Sequence, residues 1–210
     1  LSIYFDSEMS PQFIKRFTSL MFISALVVGG ATLLYDSFFT LPPGDYETKR
    51  GDILLSGGDH TAALEYFNKA LQKMPDHRGA LMGRALVFIQ TAQYVEAESE
   101  LTYMIEWLEN NLGPEDPTGR GALAAAYANR GIVLDRQGAH KEALTNYIRA
   151  LEVDESSVSG PGLAYKILYD PRPSTVRKRA LYIYQQLQLP ENQREMSVPE
   201  LDAASRMHKP

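Results

Sequence analysis

The hydrophobic pattern divides the chain into one unbroken apolar run and a longer stretch of amphipathic periods. No charged residue occurs between Phe17 and Tyr35. That run, FTSLMFISALVVGGATLLY, approaches the ~20 apolar residues a helix needs to cross a bilayer. It predicts a transmembrane helix over 17–35, preceded by an N-terminal segment over 1–16. A Pro-rich linker over 36–44 follows, in which Leu41-Pro42-Pro43-Gly44 makes a stiff, extended joint. From residue 45 onward apolar residues recur at helical spacing, as in Ala63, Phe67, Ala70 and Leu71. Gly57-Gly58 and Gly138 fall where paired helices must turn sharply, and Pro75 closes one such pair.

These helical periods repeat. The segment GGDHTAALEYFNKALQKMP (57–75) aligns with TAQYVEAESELTYMIEWLE (91–109) and QGAHKEALTNYIRALEVDE (137–155). Small residues correspond at Ala63, Ala97 and Ala143, and larger ones at Phe67, Leu101 and Tyr147. One helix earlier, Gly51, Ala85 and Gly131 line up, each followed three residues on by Leu54, Phe88 or Leu134. Small residues let paired helices approach, and the large ones fill the space between pairs. The first two segments are offset by 34 residues and the next two by 46. A 34-residue period with this small–large pattern resembles the tetratricopeptide-repeat (TPR) family. The resemblance covers roughly residues 44–155, although Glu47 and Leu81 stand where the family places an early aromatic.

The resemblance implies an all-α fold: a solenoid of three helical hairpins over 45–155, with an insertion over 112–123. Two prolines and three glycines between Leu112 and Gly121 predict a surface loop there. Residues 156–210 are expected to form a degenerate fourth pair, a capping helix and a tail, because a solenoid end must be sealed. Within that region Leu163–Tyr169 predicts a short helix, and Val176, Ala180, Ile183 and Leu187 share one face of another. Ser197 and Glu200 have capping-box spacing. Trp107, the sole tryptophan, sits at core spacing just before the insertion.

In the TPR family the first helix of each repeat lines a concave groove. By resemblance, the groove residues here are Asp45, Thr48, Asp52 and Leu55, then Met82, Leu86, Ile89 and Gln90, then Ala128, Ile132, Asp135 and Arg136. The Lys/Asn/Arg clamp by which some relatives hold a terminal carboxylate is missing. The groove is therefore expected to be apolar in its middle and to take an amphipathic helix or apolar segment, or the chain's own C-terminal residues.

Charge adds direction. Lys15 and Arg16 precede the apolar run, whereas Asp36, Asp45 and Glu47 follow it before Lys49 and Arg50. Positive-inside logic puts the N-terminus in the cytoplasm and the repeats outside, in a periplasm for a Gram-negative source. A cleaved signal peptide is the competing reading, with small residues at Val28-Gly29-Gly30-Ala31, but a lead of sixteen residues is long for one. Ala25 and Gly29 form a small-xxx-small pair able to pack on another membrane helix. Arg172, Arg177, Lys178 and Arg179 form the main basic cluster, suited to lipid headgroups or an acidic partner.

Composition excludes more than it assigns. The 210 residues carry a net charge of −5, which argues against nucleic acid as a partner. The absence of cysteine rules out disulfides and thiolate chemistry. No phosphate loop or nucleophile elbow is present, no two histidines stand at metal-pair spacing, and no cofactor is implied. His60 and His140 occupy equivalent repeat positions. An enzyme would have to be built from Asp135, Arg136 and His140, and the expectation is instead a non-enzymatic scaffold. The chain is read as an accessory subunit of a membrane-protein complex, with a transient assembly factor as the alternative.

Overall fold

A computed structural model describes residues 11–39, 41–158 and 176–197, divided between a unit over 1–42 and a unit over 43–210. The described residues are helical, with no strand among them.

The first unit is the single helix α1 (Pro11–Phe39). Residues 11–32 have the length and composition to cross a membrane, and none of that window is buried. Leu20, Phe22, Val27 and their neighbours stand exposed around the helix. A helix that exposes large apolar side chains along this window is unlike the buried core helix of a globular domain. The hydroxyls of Thr18, Ser24 and Thr32 donate to the carbonyls of Ile14, Met21 and Gly29 at 2.9–3.0 Å. The helix thus satisfies these polar groups internally, as lipid would require. Nothing lies within 4 Å of the place a Cβ would take at Gly29.

Among the described residues the second unit holds three antiparallel helical pairs: α2 (Asp45–Ser56) with α3 (His60–Lys73), α4 (Arg78–Gln90) with α5 (Tyr94–Asn111), and α6 (Pro117–Arg136) with α7 (His140–Val158). Each begins and ends for local reasons. Asp59 caps α3 by accepting from the Ala62 N–H at 3.1 Å. Asp116 caps α6 through the Gly119 N–H at 2.7 Å, and Pro117 follows at the first helical position. His77 caps α4 through Nδ1, which accepts from the Ala80 N–H. Its Nε2 therefore carries the hydrogen and donates to Asp45 Oδ1 at 2.9 Å, joining the second pair to the first. The three turns within pairs share a left-handed residue: Gly58 (φ 81°), Ala92 (φ 58°) and Gly138 (φ 83°).

The core forms where large side chains meet the small residues picked out by the repeats. Phe67 is fully buried; a Cβ on Gly51 would lie 2.6 Å from its ring, and one on Gly83 nearer still. Tyr147 stands in the same relation to Gly131, at 2.7 Å. Ala63, Ala97 and Ala143 are wholly buried. The insertion differs from expectation. Most of it extends α6, and the loop shrinks to 112–116, because Asp116-Pro117 is a helix-start signal that outweighs the following glycines. Arg78 Nη1 donates to Asp116 at 2.7 Å and its guanidinium stands 5.7 Å from the Trp107 ring, clipping this loop to α4. Trp107 is partly buried against the core.

Beyond α7, whose backbone breaks at Asp154, α8 (Val176–Leu187) packs on α7. Val176, Ala180 and Ile183 are buried and Leu187 partly so, the face expected from their spacing. A 3₁₀ turn follows at Glu191–Gln193. The expected helix at 163–169, Arg172 and Glu200 lie outside the described residues.

Candidate functional site

The residues that the resemblance assigns to a groove, on the first helix of each pair, divide sharply by burial. Thr48, Leu55, Met82, Leu86, Ile89, Ala128 and Ile132 are all buried. Met82 is further held by Asn129, whose Nδ2 donates to its sulfur at 3.2 Å. The apolar middle expected for the groove is therefore core in this structure and not an open ligand surface. Helix α4 sits between two neighbouring pairs, so helical spacing alone does not separate its inward face from its groove face. Gln90 and Arg136 are exposed, and Asp45 and Asp52 are half-buried. Gln90 Oε1 is 2.7 Å from His60 Nε2, which opens the preceding α3.

Three of the expected residues come together. Ile132, Asp135 and Arg136, at the end of α6, line a cavity of about 430 Å³ with Tyr94, His140 and the C-terminal residues Arg179 and Met196. Asp135 is its electrostatic centre. Arg179 donates to both of its oxygens, Nε to Oδ2 at 2.6 Å and Nη2 to Oδ1 at 3.0 Å. His140 Nδ1 is 2.9 Å from Oδ1, and the Tyr147 hydroxyl donates to Oδ2 at 3.4 Å. Burial, and then the Asp135 charge, push the Tyr147 hydroxyl well above the ordinary tyrosine range. On the cavity's open side the Arg136 guanidinium lies 6.0 Å from the Tyr94 ring.

The C-terminal wall is tied down by backbone acceptors. Arg179 Nη2 donates to the Met196 carbonyl at 2.9 Å, Tyr182 to the Glu195 carbonyl at 2.6 Å, and Arg194 Nε to the Leu189 carbonyl at 2.9 Å. The chain's own residues thus reach the expected groove at repeat three, with Met196 packed against the core. Sequence reasoning missed Tyr94 and Met196, since both join the site only through contacts between separate elements. It also grouped Arg179 with a surface basic cluster. Arg179 is buried on Asp135, Arg177 pairs with Glu155 at 2.6 Å, and only Arg177 and Lys178 remain exposed among the described members. The helix period explains this, for Arg179 falls beside Val176 and Ala180 on the buried face.

With both oxygens engaged by a guanidinium, a ring nitrogen and a hydroxyl, the Asp135 carboxylate is a structural counter-ion and poorly placed as a general base. Among the described residues no group of His, Asp and Glu is arranged to hold a metal ion. The cavity offers an aromatic face, a thioether, the exposed Arg136 guanidinium and the half-buried His140 ring.

Three stacked helical pairs, each closed by a left-handed turn, define a helical-hairpin solenoid. The chain matches the tetratricopeptide repeat family over residues 54–109 and again over 124–157, so these segments are tetratricopeptide repeats. Among solved structures, the first TPR of Spaghetti (RPAP3), bound to the HSP90 peptide SRMEEVD, is similar with a TM-score of 0.50 at 16% identity. That likeness covers 70% of this chain and 94% of the other. The Arabidopsis OM64 TPR domain gives a TM-score of 0.47 at 16% identity, over 66% and 94%. No curated protein matches the sequence. Such repeats imply a protein–protein interaction scaffold, and proteins of the family are generally without catalytic activity.

Proposed function

We propose that this chain is a membrane-tethered scaffold that holds a protein partner at the bilayer, as an accessory subunit of a membrane-protein complex. The observation that carries the reading is the pairing of a TPR stack with an N-terminal helix apolar on all sides and without internal burial. In this reading α1 spans the membrane with Lys15 and Arg16 on the cytoplasmic side, and the repeats stand on the extracytoplasmic side. Ala25 and Gly29 offer α1 a close-packing stripe for a neighbouring membrane helix. The partner engages the rim of the groove, at the half-buried Asp52 and the exposed Gln90 and Arg136, and the cavity beside Ile132 and Asp135. The buried positions Thr48, Leu55, Met82, Leu86, Ile89 and Ala128 support that rim from within.

The test is extraction in mild detergent followed by native sizing and photo-crosslinking from Gln90 or Arg136. The expected result is a particle much larger than the 23.5 kDa chain, with crosslinks to one protein from both positions. Migration as a lone small protein would overturn the reading. A transient assembly factor is the second reading. It is favoured by Met196 and Ser197 lining the cavity, because a segment that already covers part of a site can be displaced and can return. Substoichiometric recovery during maturation of the complex would select it.

A further inference from the structure

Helix α2 turns one face inward and leaves the opposite face uncovered. Thr48, Gly51 and Leu55 are buried. On the far side, at i, i+4 and i+7, stand Tyr46, Arg50 and Ile53, with Lys49 beside them. Tyr46 and Ile53 are each 62% exposed. The cluster continues onto α3, where the Tyr66 ring lies 6.0 Å from the Arg50 guanidinium and 4.8 Å from Lys69 Nζ. Among the described residues Lys49, Arg50 and Lys69 form no ion pair, while the nearby Glu47 is occupied by Lys73 at 2.9 Å. The face is therefore cationic, aromatic and aliphatic at once.

We propose that this face of the first repeat docks on an anionic lipid surface. The inference rests on the reading of α1 as a membrane span. Two features favour lipid over a protein. The first is charge complementarity: Lys49, Arg50 and Lys69, none within ion-pair distance of a carboxylate among the described residues, surround two exposed apolar side chains, the composition by which peripheral helices seat at a headgroup layer. The second is the tether. Six Cα steps separate Phe39 from Asp45, so the chain lets the start of α2 lie at most ~21 Å from the end of α1. The basic cluster on α8 is the weaker candidate, because Arg179 is buried and Arg177 is paired.

The absence of cysteine makes the test clean. The full chain is reconstituted in phosphatidylcholine vesicles with or without about 30% phosphatidylglycerol. Spin labels are placed singly at Ile53→Cys, at Val95→Cys on another exposed site and at Leu26→Cys in α1. The expected result is an Ile53 label accessible to oxygen and shielded from aqueous nickel in anionic vesicles, with the Val95 label in water. Lys49→Glu with Arg50→Glu should release the Ile53 label, lowering its lipid-bound population about fivefold for each cation lost. An aqueous Ile53 label beside a buried Leu26 label overturns the docking and leaves the tether standing. A Leu26 label in water overturns both. An Ile53 label shielded by protein, with no dependence on lipid charge, overturns the docking in favour of a protein partner.

Discussion

Arg179 and Asp135 form a buried, two-pronged ion pair between α8 and the end of α6, with side chains 6% and 8% exposed. It joins residues 44 positions apart and, through Arg179 Nη2, also holds the Met196 carbonyl. Removing one member leaves the other charged inside the protein, at a cost of about 3–5 kcal/mol. Arg179→Ala should therefore detach the C-terminal wall from repeat three. Limited proteolysis should then cut near α8 while the α2–α7 stack persists, and the urea midpoint of the whole domain should fall. Equal protection of α8 in the variant and the native protein would contradict this account.

Phe67 and Gly83 meet in one of the tightest contacts of the stack, where an added methyl would press into the ring. Gly83→Ala offers about 1 kcal/mol of helix propensity but overpacks a fully buried aromatic, at about 1–3 kcal/mol. The variant should lose stability, and Gly83→Ala with Phe67→Leu should recover part of the loss, which thermal unfolding of both variants would measure. An additive double variant would mean that the two residues do not meet in this way.

These two sites differ in how far the chain announces them. The small–large alternation of Gly51, Ala85 and Gly131 with Phe67, Leu101 and Tyr147 is local and periodic, so the repeats are legible in the sequence alone. Gly83 carries no such signal, since it lies two residues before the aligned Ala85 and acts on Phe67 from the neighbouring pair. The cavity is half legible. Ile132, Asp135 and Arg136 follow from their place on the repeat, whereas Tyr94, Met196 and the inward turn of Arg179 depend on tertiary contacts. The apolar groove expected from the sequence fails for the same reason: Met82, Leu86 and Ile89 suit a ligand surface and a core equally by spacing, and burial decides between them.

Alkaline pH should loosen the third repeat. Burial, and then the hydrogen bond to Glu109 at 2.6 Å, push the Tyr127 hydroxyl up to about 12 from an ordinary 10.0. Tyr147 is also raised, by burial and then by Asp135. A raised tyrosine leaves stability intact below pH 10, where both folded and unfolded chains hold the proton. Between 10 and about 12 only the unfolded chain releases it, so stability declines as pH rises through that window. Urea midpoints should be flat from about pH 7 to 9 and then drop, with phenolate absorbance rising together with unfolding. Tyr127→Phe should start lower, having lost the Glu109 bond, but decline less steeply. A phenolate signal from Tyr127 appearing near pH 10 in the folded protein would refute the burial argument.

The turn between α4 and α5 breaks the rule kept by its two counterparts. Gly58 and Gly138 take the left-handed conformation without a Cβ, but the second repeat places Ala92 there at φ 58°. Its N–H donates to the Ile89 carbonyl at 3.2 Å, and the next N–H, from Gln93, reaches the Phe88 carbonyl at 2.8 Å, so the backbone closes the turn despite the side chain. An L-residue in this region carries about 1–2 kcal/mol of strain, while glycine loses about 0.5–1 kcal/mol more chain entropy on folding. The difference favours Ala92→Gly by up to about 1.5 kcal/mol, a gain rather than the loss glycine usually brings near a helix. Thermal unfolding should show a higher midpoint for Ala92→Gly, and a lower one for Gly58→Ala and Gly138→Ala at the equivalent turns. If all three variants lost stability alike, the left-handed turn at Ala92 would not be the strained position that its backbone angle implies.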